Sequence, residues 1–151
     1  MTESESEHDM QHDKDTLAKA LPKLTPEQLA HVSPHFEHET YQAGQLIVQQ
    51  GEEPDRFYIL VSGHVEIWHE DLDGESHLVD ELDPGEYFGE TGLLHNHPRS
   101  ATVRVSSNSG AEVLTLDRQY FQEMIEESKA TEAQVAREMI QRLIELSDYQ
   151  S

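Results

Sequence analysis

The chain contains no cysteine, so neither a disulfide framework nor a thiolate metal site is open to it, and a reducing compartment is expected. Long apolar runs are missing as well. The longest is Phe57 to Val61, far short of the ~20 residues a membrane helix needs. No secretory leader pattern opens the chain, so a cytoplasmic protein with no membrane partner is expected. Positive charge is scarce: 10 Lys and Arg stand against 31 Asp and Glu, a formal net charge of −21. That balance argues strongly against a nucleic-acid polymer as partner, and none is expected. It also repels small anions at long range, so an anion site must win locally and should bind better as salt screens the field. Lysine is reduced to Lys14, Lys19, Lys23 and Lys129. Such a dense carboxylate coat suits a protein kept soluble in high salt, the alternative being an acidic cytosolic protein with an acidic tail. No spaced nucleophile–base–acid set and no Walker-type glycine loop is present, so no catalytic role is expected.

What is present is one domain's worth of chain, 151 residues, enough for a real core. Residues 1–15 place Glu3, Glu5, Glu7, Asp9, Asp13 and Asp15 among polar neighbours without apolar period, and are expected to be a disordered acidic tail. Residues 16–151 are expected to fold, with helices over 16–36, a strand barrel over 38–117 and further helices over 118–149. Leu17, Leu21 and Leu24 form a short amphipathic piece. Thr25-Pro26-Glu27-Gln28 reads as a capping box with proline at the first helical position. Pro34 should end that helix.

From His38 the period changes to two, and Gly44, Gly51, Gly63, Gly74 and Gly85 punctuate the chain, the pattern of a sandwich, barrel or jelly roll. Arg56 to Ser62 is apolar on both faces and should be a deeply buried strand. His64 to Glu70 alternates, with Val65 and Ile67 inward and Trp68 outward. Asp73-Gly74 marks a hairpin. Asp117 is expected to cap one late helix, and Thr131 with Gln134 a second.

The stretch that carries chemistry is Phe88 to Val103, Phe-Gly-Glu-Thr-Gly-Leu-Leu-His-Asn-His-Pro-Arg-Ser-Ala-Thr-Val. Gly89 lets backbone come close to a ligand. The apolar turn at Leu93-Leu94 offers helical N–H groups without partners to a negative charge. Arg99 adds a fork of donors suited to phosphate. Glu90 would repel phosphate, but it can accept from a neutral hydroxyl such as a ribose 2′-OH. Phosphate and sugar hydroxyl together indicate a nucleotide.

This segment resembles the phosphate-binding cassette of cyclic nucleotide-binding domains, which runs Phe-Gly-Glu, an apolar turn, Pro-Arg, a small residue and Ala-Thr-Val. The Glu90 to Arg99 spacing matches without a gap. Thr91, Gly92 and Ser100 are mild departures. Gly44, Ile47, Gly51, Tyr58, Ile59, Leu60, Gly63 and Val65 fall on the family's barrel landmarks, so the resemblance covers about residues 25 to 146.

The resemblance implies a mainly β fold with flanking helices, a jelly-roll β-barrel (double-stranded β-helix), and a ligand, cAMP more readily than cGMP, rather than a cofactor. It implies that Arg99 and Ser100 hold the cyclic phosphate with N–H groups near Gly89 and Thr91. Glu90 would take the ribose hydroxyl, Ile67 and Val79 would lie against the base, and the last helix would close over it. No helix-turn-helix segment follows the cassette within the chain, so the partner is expected to be a separate effector or a second copy.

Two rival readings remain. One keeps fold and cassette as a protein-interaction module without nucleotide affinity. The other is a cupin-type metal enzyme built on His95 and His97, but the glutamate that pattern wants at 101 or 102 is replaced by Ala101 and Thr102. Two imidazoles without a third ligand make a weak site, so no metal is expected. The last helix bears an apolar arc of about 180° from Val135 through Ile144, at 100° per residue. That is wider than the stripe one core requires, and its surplus should cover a ligand or meet a second chain.

Overall fold

The computed structural model describes residues 3–148. Eight strands form two antiparallel four-stranded sheets, and the chain enters and leaves them through helices. In chain order the elements are α1 (Glu3–Ala20), α2 (Pro26–Val32), a 3-10 turn (Ser33–His35), β1 (Glu37–Tyr41), β2 (Leu46–Val48), β3 (Arg56–Ser62), β4 (Val65–Glu70), β5 (Ser76–Leu82), β6 (Tyr87–Phe88), α3 (Glu90–His95), β7 (Thr102–Val105), β8 (Ala111–Asp117), α4 (Arg118–Glu127) and α5 (Lys129–Ser147). One sheet runs β1-β8-β3-β6 and the other β2-β7-β4-β5. Together they make the expected jelly roll.

The strand that is apolar on both faces explains the layering. Alternate residues of β3 serve different cores. Tyr58 and Leu60 face the second sheet and share a core with its Val65, Leu82 and Val105, together with Phe88 and Val113 of their own sheet. Phe57, Ile59 and Val61 face outward, where they are covered by Leu17 and Leu21 of the N-terminal segment, Phe121 and Met124 of α4 and Val135 of α5. The helices are therefore the lid of a second core, and losing them would expose one face of the central strand.

Thr25 caps α2 as the sequence indicates. Its side chain accepts from the Gln28 amide, and the Gln28 side chain accepts from the Thr25 amide. Two expectations need correction. The stretch expected to be a disordered tail begins outside the described residues, and from Glu3 onward it is drawn as helix α1. Its C-terminal turns are anchored by buried Leu17 and Ala20. The last helix starts at Lys129, not after Thr131. Ser128 is its N-cap, accepting from the Thr131 amide, while the buried Thr131 hydroxyl accepts from Ser128 Oγ at 2.7 Å. A cap that also donates to the residue it caps looks, in sequence, like an ordinary serine. Asp117 does occupy the N-cap position of α4, but its side chain makes no capping bond.

Asp13 ties α1 to the sheets. His38 on β1 sits between two carboxylates, with Nε2 2.5 Å from Asp13 Oδ2 and Nδ1 2.8 Å from Glu112 Oε1 on β8. Burial pulls this imidazole down, yet the hydrogen bonds and charges of Asp13 and Glu112 outweigh it and leave it above its ordinary value of 6.5. A group raised in the folded state adds stability that is complete below the unfolded value and lost as pH rises through the folded one. Wild type should therefore exceed His38→Gln in melting temperature most at pH ~6, with the gap narrowing by pH ~8.5. A gap independent of pH would show that His38 is not held as an imidazolium.

Candidate functional site

Strand β6 delivers the chain to Gly89, whose φ of 93° and ψ of −2° are left-handed. A side chain there would be strained, and its Cβ would lie 3.0 Å from Arg99 Nη1 and 3.1 Å from the Arg56 carbonyl. The turn admits α3 directly after it. Gly92, which departs from the usual cassette, packs so that a Cβ would lie 2.6 Å from Pro54 and 2.8 Å from the His97 carbonyl. Asn96, at φ 53°, ends α3, and Pro98 then leads to Arg99.

Arg99 is buried, and its guanidinium is fixed before any ligand arrives. Nη1 donates to the Gly89 carbonyl at 2.9 Å and Nη2 to the Arg56 carbonyl at 2.8 Å. Nη2 also lies 3.6 Å from Asp55, and the group sits over the Tyr58 ring. Two of an arginine's five N–H donors are thus engaged by carbonyls, and the others remain for a phosphate, water or Asp55. Burial lowers the affinity of this guanidinium for its proton, partly opposed by Tyr58 and the nearby carboxylates. The backbone is held too, with Arg99 N donating to the Glu52 carbonyl and Gly51 N to the Arg99 carbonyl, both at 2.8 Å.

Glu90 is only 1% exposed. Its Oε1 accepts from Arg142 Nη1 of α5 at 2.6 Å, and its Oε2 is buried without a hydrogen-bond partner among the described residues. Arg142 Nη2 in turn donates to the Tyr87 carbonyl at 2.6 Å. The two partners' proton affinities pull in opposing senses: burial raises Glu90 against the pull of Arg142, whereas Glu90 and Glu138 raise Arg142 against its own burial. The carboxyl's upward direction is the decisive one, because an acceptor oxygen with no donor leaves its charge under-compensated.

All seven residues singled out in the sequence, Gly89, Glu90, Thr91, Arg99, Ser100, Ile67 and Val79, line one cleft of ≈ 560 Å³, counting the part open to solvent. Arg142, Glu145 and Leu146 of α5 close one side of it. His95 and His97 are exposed, and His97 Nδ1 lies 2.6 Å from the Pro98 carbonyl. Among the described residues neither belongs to a cluster able to hold a metal; those clusters are Asp13–His38–Glu112 and Asp71–Glu75–His77.

Sequence reasoning missed Arg142. The signal was present: at 100° per residue it falls about 20° from Val135, in the middle of the buried stripe. A charged side chain there needs a buried partner.

The jelly roll and its arginine-bearing turn define a ligand-binding module of regulatory type, and comparisons identify the family. A model of the cyclic nucleotide-binding domain matches residues 38–128. The chain is 46% identical over 84 residues to the cAMP-dependent protein kinase regulatory subunit of Dictyostelium discoideum, covering 54% of this chain and 25% of that protein. Among solved structures it resembles the regulatory domain of Toxoplasma gondii PKA co-crystallised with cAMP, at TM-score 0.72 and 27% identity, covering 78% of this chain and 45% of that one. It also resembles the catabolite activator protein of Thermus thermophilus, at TM-score 0.71 and 27% identity, covering 86% and 60%. The chain belongs to the cyclic nucleotide-binding domain family. It spans about a quarter of the length of the first curated relatives it matches.

The Glu90–Arg142 pair makes a direct demand on stability. Arg142→Ala should cost about 3–5 kcal/mol in urea unfolding, because it strands a buried carboxylate. Adding Glu90→Gln to that variant should recover most of the loss. A single-variant loss under about 1 kcal/mol, the range of an exposed pair, would show that the contact does not hold α5.

Proposed function

We propose that the chain is a sensor module that binds a 3′,5′-cyclic nucleotide, cAMP in preference to cGMP. The observation that carries this reading is the Glu90 carboxylate lining a cleft, with one oxygen buried and without a donor among the described residues. Buried acceptors are rarely left so, at a cost of about 1–3 kcal/mol. A ribose 2′-OH donating to Oε2 would remove that cost. The remaining donors of Arg99, the Ser100 hydroxyl and the first-turn N–H groups near Gly89 and Thr91 would take the cyclic phosphate. Ile67 and Val79 would pack on the base. The similarity to a protein kinase regulatory subunit and to a domain co-crystallised with cAMP supports the same ligand class.

In this reading α5 is the output. Arg142 senses the ligand through Glu90, while Ile140 and Ile144, 54% and 58% exposed, form the surplus apolar face foreseen from the sequence. That face would meet a second copy or a separate effector. A module of the same fold without nucleotide affinity is the competing outcome.

Ligand at ~100 times its dissociation constant should add about 2.7 kcal/mol of stability, a melting shift of roughly 5–10 °C for a domain of this size. Arg99→Ala should weaken binding by about ten- to hundredfold, and it should also lower the melting point without ligand, since it frees two carbonyls. If neither cAMP nor cGMP at millimolar concentration moves the melting point, the binding reading fails.

Ser100 sets the expected discrimination between the two nucleotides. Its hydroxyl lacks the methyl group that helps fix a threonine rotamer, so it should not hold a guanine well. A preference for cGMP beyond about a hundredfold, or ~2.8 kcal/mol, would overturn the choice of cAMP.

A further inference from the structure

The inward row of β4 runs Val65, Ile67, His69. The first two belong to the core between the sheets, but the third is an imidazole, only 7% exposed. Burying a polar ring in a core row is costly unless it is hydrogen-bonded. This ring has a specific bond, with Nδ1 2.9 Å from the Ser100 carbonyl. A carbonyl oxygen can only accept, so the proton sits on Nδ1 and the ring donates.

That bond holds a part of the cassette exit which the sheet does not reach. Upstream, the Arg99 amide and carbonyl are tied to Glu52 and Gly51. Downstream, Thr102 pairs with Trp68 at the end of the β4–β7 ladder, and its hydroxyl accepts from the Gln50 amide at 2.9 Å. Between these anchors the chain bends at Ser100 and Ala101, and the Ser100 carbonyl has no backbone donor among the described residues. Gln50 also fixes the strand that carries the ring. Its side chain donates to the Glu70 carbonyl at 3.0 Å and accepts from the Glu70 amide at 2.8 Å. His69 therefore projects from a strand end that is itself tied to the loop between β2 and β3.

Peptide geometry carries this bond into the cleft. Ser100 and Ala101 line the cleft and His69 does not, so the Ser100 carbonyl is drawn away from it. No peptide bond among the described residues is cis, and a planar trans peptide points its N–H opposite to its C=O. The Ala101 N–H is thereby aimed toward the cleft, two positions from Arg99. It has no backbone acceptor among the described residues. A fixed backbone N–H gives an oxyanion a short, charge-assisted hydrogen bond.

Resting on the nucleotide reading of the cleft, we infer that His69 is a positioning residue of the phosphate end: by holding the Ser100 carbonyl it sets the Ala101 N–H as a second fixed donor beside Arg99. The ring touches no ligand itself. Arg99 supplies the charge, and the aimed amide distinguishes one exocyclic oxygen of a cyclic phosphate from the other.

The test titrates three ligands calorimetrically into the full 151-residue chain: cAMP and its two phosphorothioate diastereomers, each with one exocyclic oxygen replaced by sulfur, a weaker acceptor. In His69→Leu, which keeps bulk without a donor, cAMP should bind about tenfold more weakly, the worth of one charge-assisted hydrogen bond. The affinity ratio of the diastereomers should also change, by about threefold or more, because an amide that has swung away no longer distinguishes the oxygens. His69→Asn places an amide nitrogen near the position of Nδ1 and should restore both. His69→Gln carries that nitrogen one carbon farther and should restore neither. A ring that only fills space would weaken all three ligands alike and leave the ratio where it was. Melting curves without ligand identify a variant that fails to fold, and His69→Gln stands in for His69→Leu if that one does. An unchanged ratio in folded His69→Leu or His69→Gln, or no recovery in folded His69→Asn, would overturn the role of His69 while leaving the site standing. Failure of all three ligands to bind the wild type would overturn the nucleotide reading and this role with it.

Discussion

The structure turns on a buried carboxylate that cannot be satisfied by its own element. Taking an ionised glutamate out of water costs several kcal/mol even after relaxation. Glu90 meets that cost with one guanidinium carried on a helix 52 positions later. The turn that would hold a ligand and the helix that would report it are therefore a single electrostatic unit. A hydroxyl arriving at Oε2 favours the ionised carboxyl, which in turn holds Arg142 more firmly. By linkage, anything that docks α5 favours the same hydroxyl. Ion pairs of this kind are poor sources of net stability, and the proposed coupling would give the pair a use that fold strength does not.

The rest of the site is prepared around that unit. Arg99 is held by the Gly89 and Arg56 carbonyls, so little side-chain entropy remains to be lost when it meets an anion. Strand β3 supplies one of those carbonyls and also joins the two cores. Its inner residues pack on the second sheet and its outer ones beneath the helices. Displacing α4 or α5 would uncover Phe57 and Ile59 on the strand that anchors Arg99. Helix position and site geometry share a frame for this reason.

Much of this was legible before any coordinates. The cassette is contiguous, so its spacing survives in a linear reading, and Gly89, Glu90, Arg99 and Ser100 come together as expected. The strands announce themselves by period, and β3 by the absence of one. Long-range pairings left weaker marks. Arg142 could be suspected only by placing it on the helical wheel, and its partner could not be named. The bulge that leaves Val79 unpaired between the Ile67–Asp80 and Trp68–Leu78 pairs of β4 and β5 left no local sign, since Leu-Val-Asp-Glu reads equally well as an unbroken strand. The order of α1 was hidden for a different reason. Acidic polar sequence signals disorder when nothing anchors it, but here Leu17 and Ala20 fix the end of the helix, and Asp13 finds its partner on β1.

The opposition between a net charge of −21 and an anion site is resolved by distance. Most carboxylates lie on the surface, where fields fall away within about 10 Å at ordinary ionic strength. Arg99 acts at contact and in a partly dry cleft, where the effective dielectric is lower and the same charge counts for more. Asp55, the acid nearest to it, is 73% exposed, and water screens much of its pull. The surface charge therefore acts chiefly on the approach of the ligand, slowing association. The affinity once bound belongs to buried groups. Among them the negative one, Glu90, would meet a neutral hydroxyl rather than phosphate in the proposed pose, so its charge need not oppose the anion.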